Sequence, residues 1–184
     1  MKLGYLGPKG TFSEQAAMMY AAKCPYDCEY EMFLNITDVI SAVGDGIIDE
    51  GIVPLENSIE GTVTSTVDTL IFDAELYINS ELILSVNQNL MVKKGVCLND
   101  VKKIISHPQG LAQCRKYIKT TGISETVAVS STAEAAHIVS QGKGDTAAIA
   151  PKRAAEVYGL DIIGENIQDD GTNSTRFIVI SKHK

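Results

Sequence analysis

The chain has 184 residues, with 16 Lys plus Arg against 23 Asp plus Glu, a formal charge of −7 and a pI near 4.9. Hydrophobic residues at 45% and charged ones at 21% describe a globular protein with ample chain for a core, and exclude a disordered or fibrous one. The acidic balance argues against nucleic acid, whose binders need a basic face, and makes an anionic substrate look awkward.

No stretch free of Asp, Glu, Lys and Arg exceeds 11 residues, short of the roughly 18 a membrane-spanning helix needs. Pro8 and Lys9 interrupt the N-terminus before the apolar centre of a secretory signal develops, so a cytoplasmic protein with no membrane partner is expected. Cys24, Cys28, Cys97 and Cys114 contain one close pair, too few for a metal cage, and read as reduced thiols.

In chain order the pattern predicts a strand over 3–6, a helix over 12–22 with Ser13 as its cap, and a strand over 30–34. A helix over 38–43 closes at Gly44 and Gly46, followed by a short strand over 50–54 and a helix over 66–72. Residues 76–94 differ: β-rich runs flank Asn87-Gln88-Asn89, and the segment is long enough to cross between two lobes. Alternation then resumes with a strand over 103–106, a helix over 111–120, a strand over 126–129 and a helix over 133–141. A strand over 146–150, a helix over 152–158 and strands over 160–164 and 175–181 complete an α/β chain in two halves, for which a cleft between lobes is a natural ligand site.

Four polar clusters follow predicted strands, where open α/β sheets bind ligands. Gly7-Pro8-Lys9-Gly10-Thr11-Phe12-Ser13 could present backbone N–H groups to an anion, or simply cap a turn. Pro54-Leu55-Glu56-Asn57-Ser58 sets a carboxylate and an amide after an apolar strand, able to orient a hydroxyl or only to cap a loop. Ser106-His107-Pro108-Gln109, with Gln113 on the next helix, has a histidine with no evident nucleophile beside it, so a loop-bonding role is expected for His107. Asp169-Asp170-Gly171-Thr172-Asn173-Ser174-Thr175-Arg176-Phe177 packs three hydroxyls, an amide and a carboxylate-matching guanidinium before a strand; a polar turn would account for its glycine and asparagine but not for the Arg-Phe pair.

These clusters, with Ser131-Thr132-Ala133-Glu134-Ala135-Ala136 and Ala147-Ala148-Ile149-Ala150, resemble the catalytic domain of prephenate dehydratase, six motifs in the family's order. The resemblance implies two α/β subdomains arranged like type II periplasmic binding proteins, one from about 1–78 plus 168–184, the other about 79–167. It also implies conversion of prephenate to phenylpyruvate with loss of water and CO2 on the route to phenylalanine, no cofactor or metal, and a homodimer. Carried over residue by residue, Thr175 assists loss of the ring hydroxyl, with Arg176, Glu56, Asn57 and Gln113 as catalytic partners. Thr11, Ser106, Ser131, Thr132 and Phe177 are the implied substrate contacts. Some members carry a glutamate where this chain has Ser130. The family's phenylalanine-binding ACT domain is not expected within these residues. Arogenate dehydratase, or a non-catalytic small-molecule binder of the same fold, is the alternative.

Overall fold

The computed structural model describes residues 1–184. Along the chain run β1 (Lys2–Leu6), α1 (Phe12–Ala21), β2 (Glu29–Phe33), α2 (Ile36–Gly44), β3 (Glu50–Asn57), β4 (Gly61–Thr62), α3 (Thr64–Phe72), β5 (Tyr77–Ser85) and β6 (Asn89–Lys93). A 3₁₀ turn at Leu98–Asp100 leads to β7 (Lys103–Ser106), α4 (Pro108–Gln113), α5 (Arg115–Thr121), β8 (Glu125–Ala128), α6 (Thr132–Gln141), β9 (Thr146–Ala150), α7 (Lys152–Tyr158), β10 (Leu160–Gly164) and β11 (Ser174–Ser181). No helix is long and apolar enough to cross a membrane.

Two compact units result, residues 1–8, 12–85 and 172–184 in the first, and 9–11 and 86–171 in the second. The first carries a sheet of order β2-β1-β3-β11-β5, with β4 paired to β3. Strands β1, β2 and β3 are parallel, whereas β11 inserts antiparallel between β3 and β5. Alternation along β11 sorts its side chains between two cores. Phe177 and Val179 join Leu3, Tyr5, Ala16, Ala17, Ile52 and Leu84, and Ile178 and Ile180 join Val39, Ile40, Val43 and Val53. Helix α2 forms because Asn35 caps it reciprocally: Asn35 Oδ1 accepts the Asp38 N–H at 2.8 Å and Asn35 Nδ2 donates to Asp38 Oδ2 at 2.7 Å, while its apolar stripe buries Val39, Ile40, Ala42 and Val43.

The second unit has the order β10-β6-β9-β7-β8. Its central β9 is buried throughout, as a strand covered on both faces must be. Ala148 and Ala150 face Ala135, Ala136 and Ala154, so small side chains bring α6 and α7 close; Ala147 and Ile149 face Leu90, Ile104 and Cys114. Helix α6 starts where Ser131 Oγ accepts the Glu134 N–H at 3.0 Å. The two chain passages 86–89 and 166–168 are tied within this unit: Ile167 N–H donates to Gln88 O at 2.8 Å, Gln88 N–H to Gln168 Oε1 at 3.0 Å, and Asn166 N–H to Asn89 Oδ1 at 3.2 Å.

Four details depart from the pattern-based expectation. The boundary placed near residue 78 falls inside β5, which stays in the first unit because it pairs with β11 over its length. Residues 168–171 belong to the second unit, held there by Gln168 and by Asp169 N–H on Gln113 O at 2.6 Å. The helix expected over 111–120 is two, interrupted at Cys114, whose φ of −118° and ψ of 21° are not helical. Ser13 lies in the first turn of α1 rather than capping it.

Candidate active site

The strand expected to stop at Pro54 runs on to Asn57, and the way it does so builds the site. Against β11, Val53 pairs with Ile178 and Pro54 with Phe177, but Glu56 pairs with Arg176 and Asn57 with Thr175. One residue, Leu55, is bulged out. A one-residue slip exchanges the faces of everything beyond it, so Asn57, which strict alternation from Ile52 would send to the face of Val53, instead shares the face of Thr175. Pro54 explains why the bulge can sit there: proline lacks a ladder donor and is tolerated at bulges.

Asn57 thereby reaches Thr175, and the setting of its amide is determined. The Ile59 and Glu60 N–H groups donate to Asn57 Oδ1 at 3.0 and 3.1 Å, an Asx turn. That leaves Nδ2 pointing at Thr175 Oγ1 and Asn173 Oδ1, both at 2.9 Å, and Ser174 O at 3.2 Å. Thr175 Oγ1 is therefore an acceptor within the protein, and its own O–H is directed to something else. A hydroxyl that receives a hydrogen bond is also a better donor.

Around this pair a second ring closes. Ser58 N–H donates to Ser174 O at 2.9 Å, Ser174 N–H to Ser58 Oγ at 3.0 Å, and Ser58 Oγ to Asn173 Oδ1 at 3.2 Å. Asn173 is 3% exposed and its Nδ2 is shielded from solvent without a partner. Sequence reasoning passed over Ser58 and Asn173 as members of this site. The signal was the Asn-Ser dipeptide repeated at 57–58 and 173–174, which the β3–β11 pairing sets side by side.

The structure distributes the other expected residues differently. Arg176 and Glu56 pair across the strands on the face opposite Thr175. Arg176 Nε lies 4.0 Å from Glu81 Oε2, both side chains substantially exposed, a pairing worth at most about 1 kcal/mol. Phe177, expected at the substrate, is 1% exposed and packed among Leu3, Tyr5 and Ala16, so its ring supports the strand from the core.

In the second unit Gln113 ends α4, with both side-chain amide atoms shielded and unpartnered. That is costly in a folded protein. Ser106 is fully buried, its Oγ donating to Ile149 O at 2.6 Å, which binds β7 to β9 and commits the proton. A Cβ on Gly110 would stand 2.5 Å from Ser106 Oγ and 3.5 Å from Thr132 Cγ2, so Ser106, Gly110 and Thr132 are brought together. His107 accepts the Gln109 N–H through Nδ1 at 3.3 Å, the loop-bonding role expected of it. Thr11 closes the 9–11 loop, which is seated on α7 by Tyr158 O–H donating to Lys9 O at 3.0 Å. Gly10 permits this approach, with a φ of +87° and space for a Cβ only 3.1 Å from Ala154 Cα.

Ser131 is occupied as the α6 cap. A carboxylate nevertheless reaches Ser130: Glu134 Oε2 accepts both its N–H, at 2.8 Å, and its hydroxyl. Those bonds, the hydroxyl one foremost, hold Glu134 below the ordinary carboxylate range. All four cysteines are free, and burial, with Asp169 nearby, pushes the Cys114 thiol up to about 12.

A sequence model of the prephenate dehydratase family matches residues 3–184. The prephenate dehydratase of Methanocaldococcus jannaschii is 44% identical over 179 residues, 97% of this chain and 64% of that protein. An Arabidopsis thaliana protein named arogenate dehydratase/prephenate dehydratase 1 is 36% identical over 182 residues, 99% of this chain and 45% of that protein. The chain thus spans about half to two thirds of the length of these curated relatives. Among solved structures, an Arthrobacter aurescens prephenate dehydratase in complex with L-Phe superposes with a TM-score of 0.89 at 32% identity, over all of this chain and 60% of that one. A nutrient-binding protein of Burkholderia cenocepacia, at a TM-score of 0.52 and 13% identity over 99% of this chain and 84% of its own, shares the type II periplasmic-binding-protein fold and nothing more.

Proposed function

Because the chain belongs to the prephenate dehydratase family, we propose that it converts prephenate to phenylpyruvate, with Thr175 as the hydrogen-bond donor to the departing ring hydroxyl. The reaction is an elimination. The bond between ring and carboxylate breaks to release CO2, and its electron pair completes the aromatic ring. The opposite carbon–oxygen bond breaks in turn, and the hydroxide leaves as water with one proton taken up. Aromatisation supplies the driving force, so the protein has to assist the leaving oxygen and hold the substrate.

The observation that carries this reading is the polarity of the Thr175 hydroxyl. Asn57 Nδ2 fills its acceptor side at 2.9 Å, so its proton is the part offered outward. Threonine is a weak acid, and it acts as a polarised donor that stabilises negative charge building on the leaving oxygen. Positioned assistance of this kind contributes about 10²- to 10⁴-fold. Arg176 and Glu56, on the opposite face of the strand pair, take no part in that step.

Turnover of prephenate by the purified chain, followed as phenylpyruvate and run beside arogenate, tests the reading. Thr175→Ala should lose at least about 10²-fold in kcat and Thr175→Ser should retain part of it. Near-normal turnover by Thr175→Ala overturns the role of the threonine. Failure of wild-type protein on prephenate with turnover of arogenate moves the same chemistry to the aminated substrate, the other activity named for the Arabidopsis relative. Ligand-induced stabilisation without turnover would make the chain a binding protein.

A further inference from the structure

We infer that Asn173 is a positioning residue for the proposed elimination, acting through Asn57 to set the direction in which Thr175 donates. The inference rests on the function proposed above and adds a residue to it.

Ser58, Asn173, Asn57 and Thr175 form one hydrogen-bonded chain. An amide side chain can be turned end for end, and Asn57 would serve Thr175 in only one of its two settings. With Nδ2 toward Thr175 the threonine is an acceptor and its proton is available. With Oδ1 there, the hydroxyl would spend its proton on Asn57. Two elements hold the productive setting. On one side the Ile59 and Glu60 N–H groups require an oxygen. On the other, Asn173 Oδ1 accepts Asn57 Nδ2 at 2.9 Å and also takes the Ser58 hydroxyl at 3.2 Å, whose Oγ accepts the Ser174 N–H in turn. Asn173 Oδ1, tied to β11 and β3 through Ser58, thus gives Asn57 Nδ2 an acceptor on the Thr175 side and holds it there.

Burial makes this setting costly to lose. Asn173 is 3% exposed, so little water is at hand to replace its oxygen, and the lone pairs it offers are matched to two donors. Neither Asn173 nor Ser58 donates a hydrogen bond to Thr175. Their effect reaches it only through Asn57, which makes Asn173 a positioning group.

The experiment compares Asn173→Ala, Asn173→Asp, Asn57→Ala and the Asn57→Ala/Asn173→Ala double variant for kcat and KM on prephenate, with thermal midpoints alongside. Asn173→Ala should lower kcat about 10- to 100-fold, the range of a small misplacement of a reacting group, with KM changed less than about threefold. Asn173→Asp keeps an acceptor for both donors and should recover most of kcat. In the double variant the Asn173 substitution should cost nothing beyond Asn57→Ala alone. Multiplying losses, a failure of Asn173→Asp to recover, or an effect confined to KM would overturn the inference. Should Asn173→Ala not fold, Asn173→Asp and Ser58→Ala carry the comparison, the latter with a kcat loss that Ser58→Thr restores. If the wild-type chain turns over no prephenate, the proposed function falls by itself. The positioning is then read from the side-chain amide resonances of Asn57, which Asn173→Ala must shift and Asn173→Asp must largely preserve; unshifted resonances refute it.

Discussion

Replacing Gln113 by methionine should make the protein more stable and less active. Gln113 ends α4 with amide nitrogen and oxygen both shielded from solvent and without a partner. A buried polar group left unpaired costs about 1–3 kcal/mol, and methionine keeps the length and approximate volume of glutamine while removing both polar atoms. The gain is taken as about 2 kcal/mol. For a chain of this size that raises the thermal midpoint by roughly 4–8 °C. The paired measurement is kcat/KM for prephenate, which should fall about 10-fold or more on the proposal that this amide contacts the substrate. Calorimetry and steady-state kinetics on one preparation suffice. A lowered midpoint would mean that the amide is satisfied in solution. A raised midpoint with unaltered kinetics would mean that the strain serves nothing, and either result refutes the reasoning.

Other outcomes follow from the same geometry. Ser106→Ala orphans the buried Ile149 carbonyl and should cost about 1–3 kcal/mol in denaturant unfolding, with the loss appearing in stability first. Glu56→Gln should leave kcat within about threefold, as expected of an exposed position away from the reacting groups; a loss of 100-fold would bring Glu56 back into the chemistry. Glu134 is held low by Ser130, so its contribution to the α6 start is complete above the usual carboxylate range and is lost as pH falls through its depressed value. Ser130→Ala should raise the Glu134 midpoint in an NMR titration. With its thiol pushed up to about 12 and fully buried, Cys114 should resist alkylation at pH 8 until unfolding, whereas exposed Cys97 reacts at once.

The element order was legible because each signal is local. Reading β9 as Thr146–Ala150 and α7 as Lys152–Tyr158 needed only an apolar run, a proline and the glycine at 159, and the structure has both with those bounds. Segment 76–94 was recognisable as unlike its surroundings, but the point where it changes unit was not, since β5 is assigned by pairing with β11, about a hundred residues away in sequence. The polar clusters were visible as clusters. Which side chains within them meet was hidden, since Thr175, Arg176 and Phe177 are adjacent in sequence and alternate between faces.

What the amino-acid sequence determined by itself was therefore an α/β chain in two halves, its family, and the stretches in which the chemistry lies. Tertiary structure alone decided that Thr175 meets Asn57, that Phe177 belongs to the core, and that Arg176 turns toward Glu81. For Phe177 and Arg176 the physical reason is the alternation of β11 between its two neighbours, and for Asn57 it is the one-residue bulge at Leu55 in β3. A strand's faces depend on its register with a partner far along the chain, and shifting that register by one residue exchanges them, whatever the local sequence prefers.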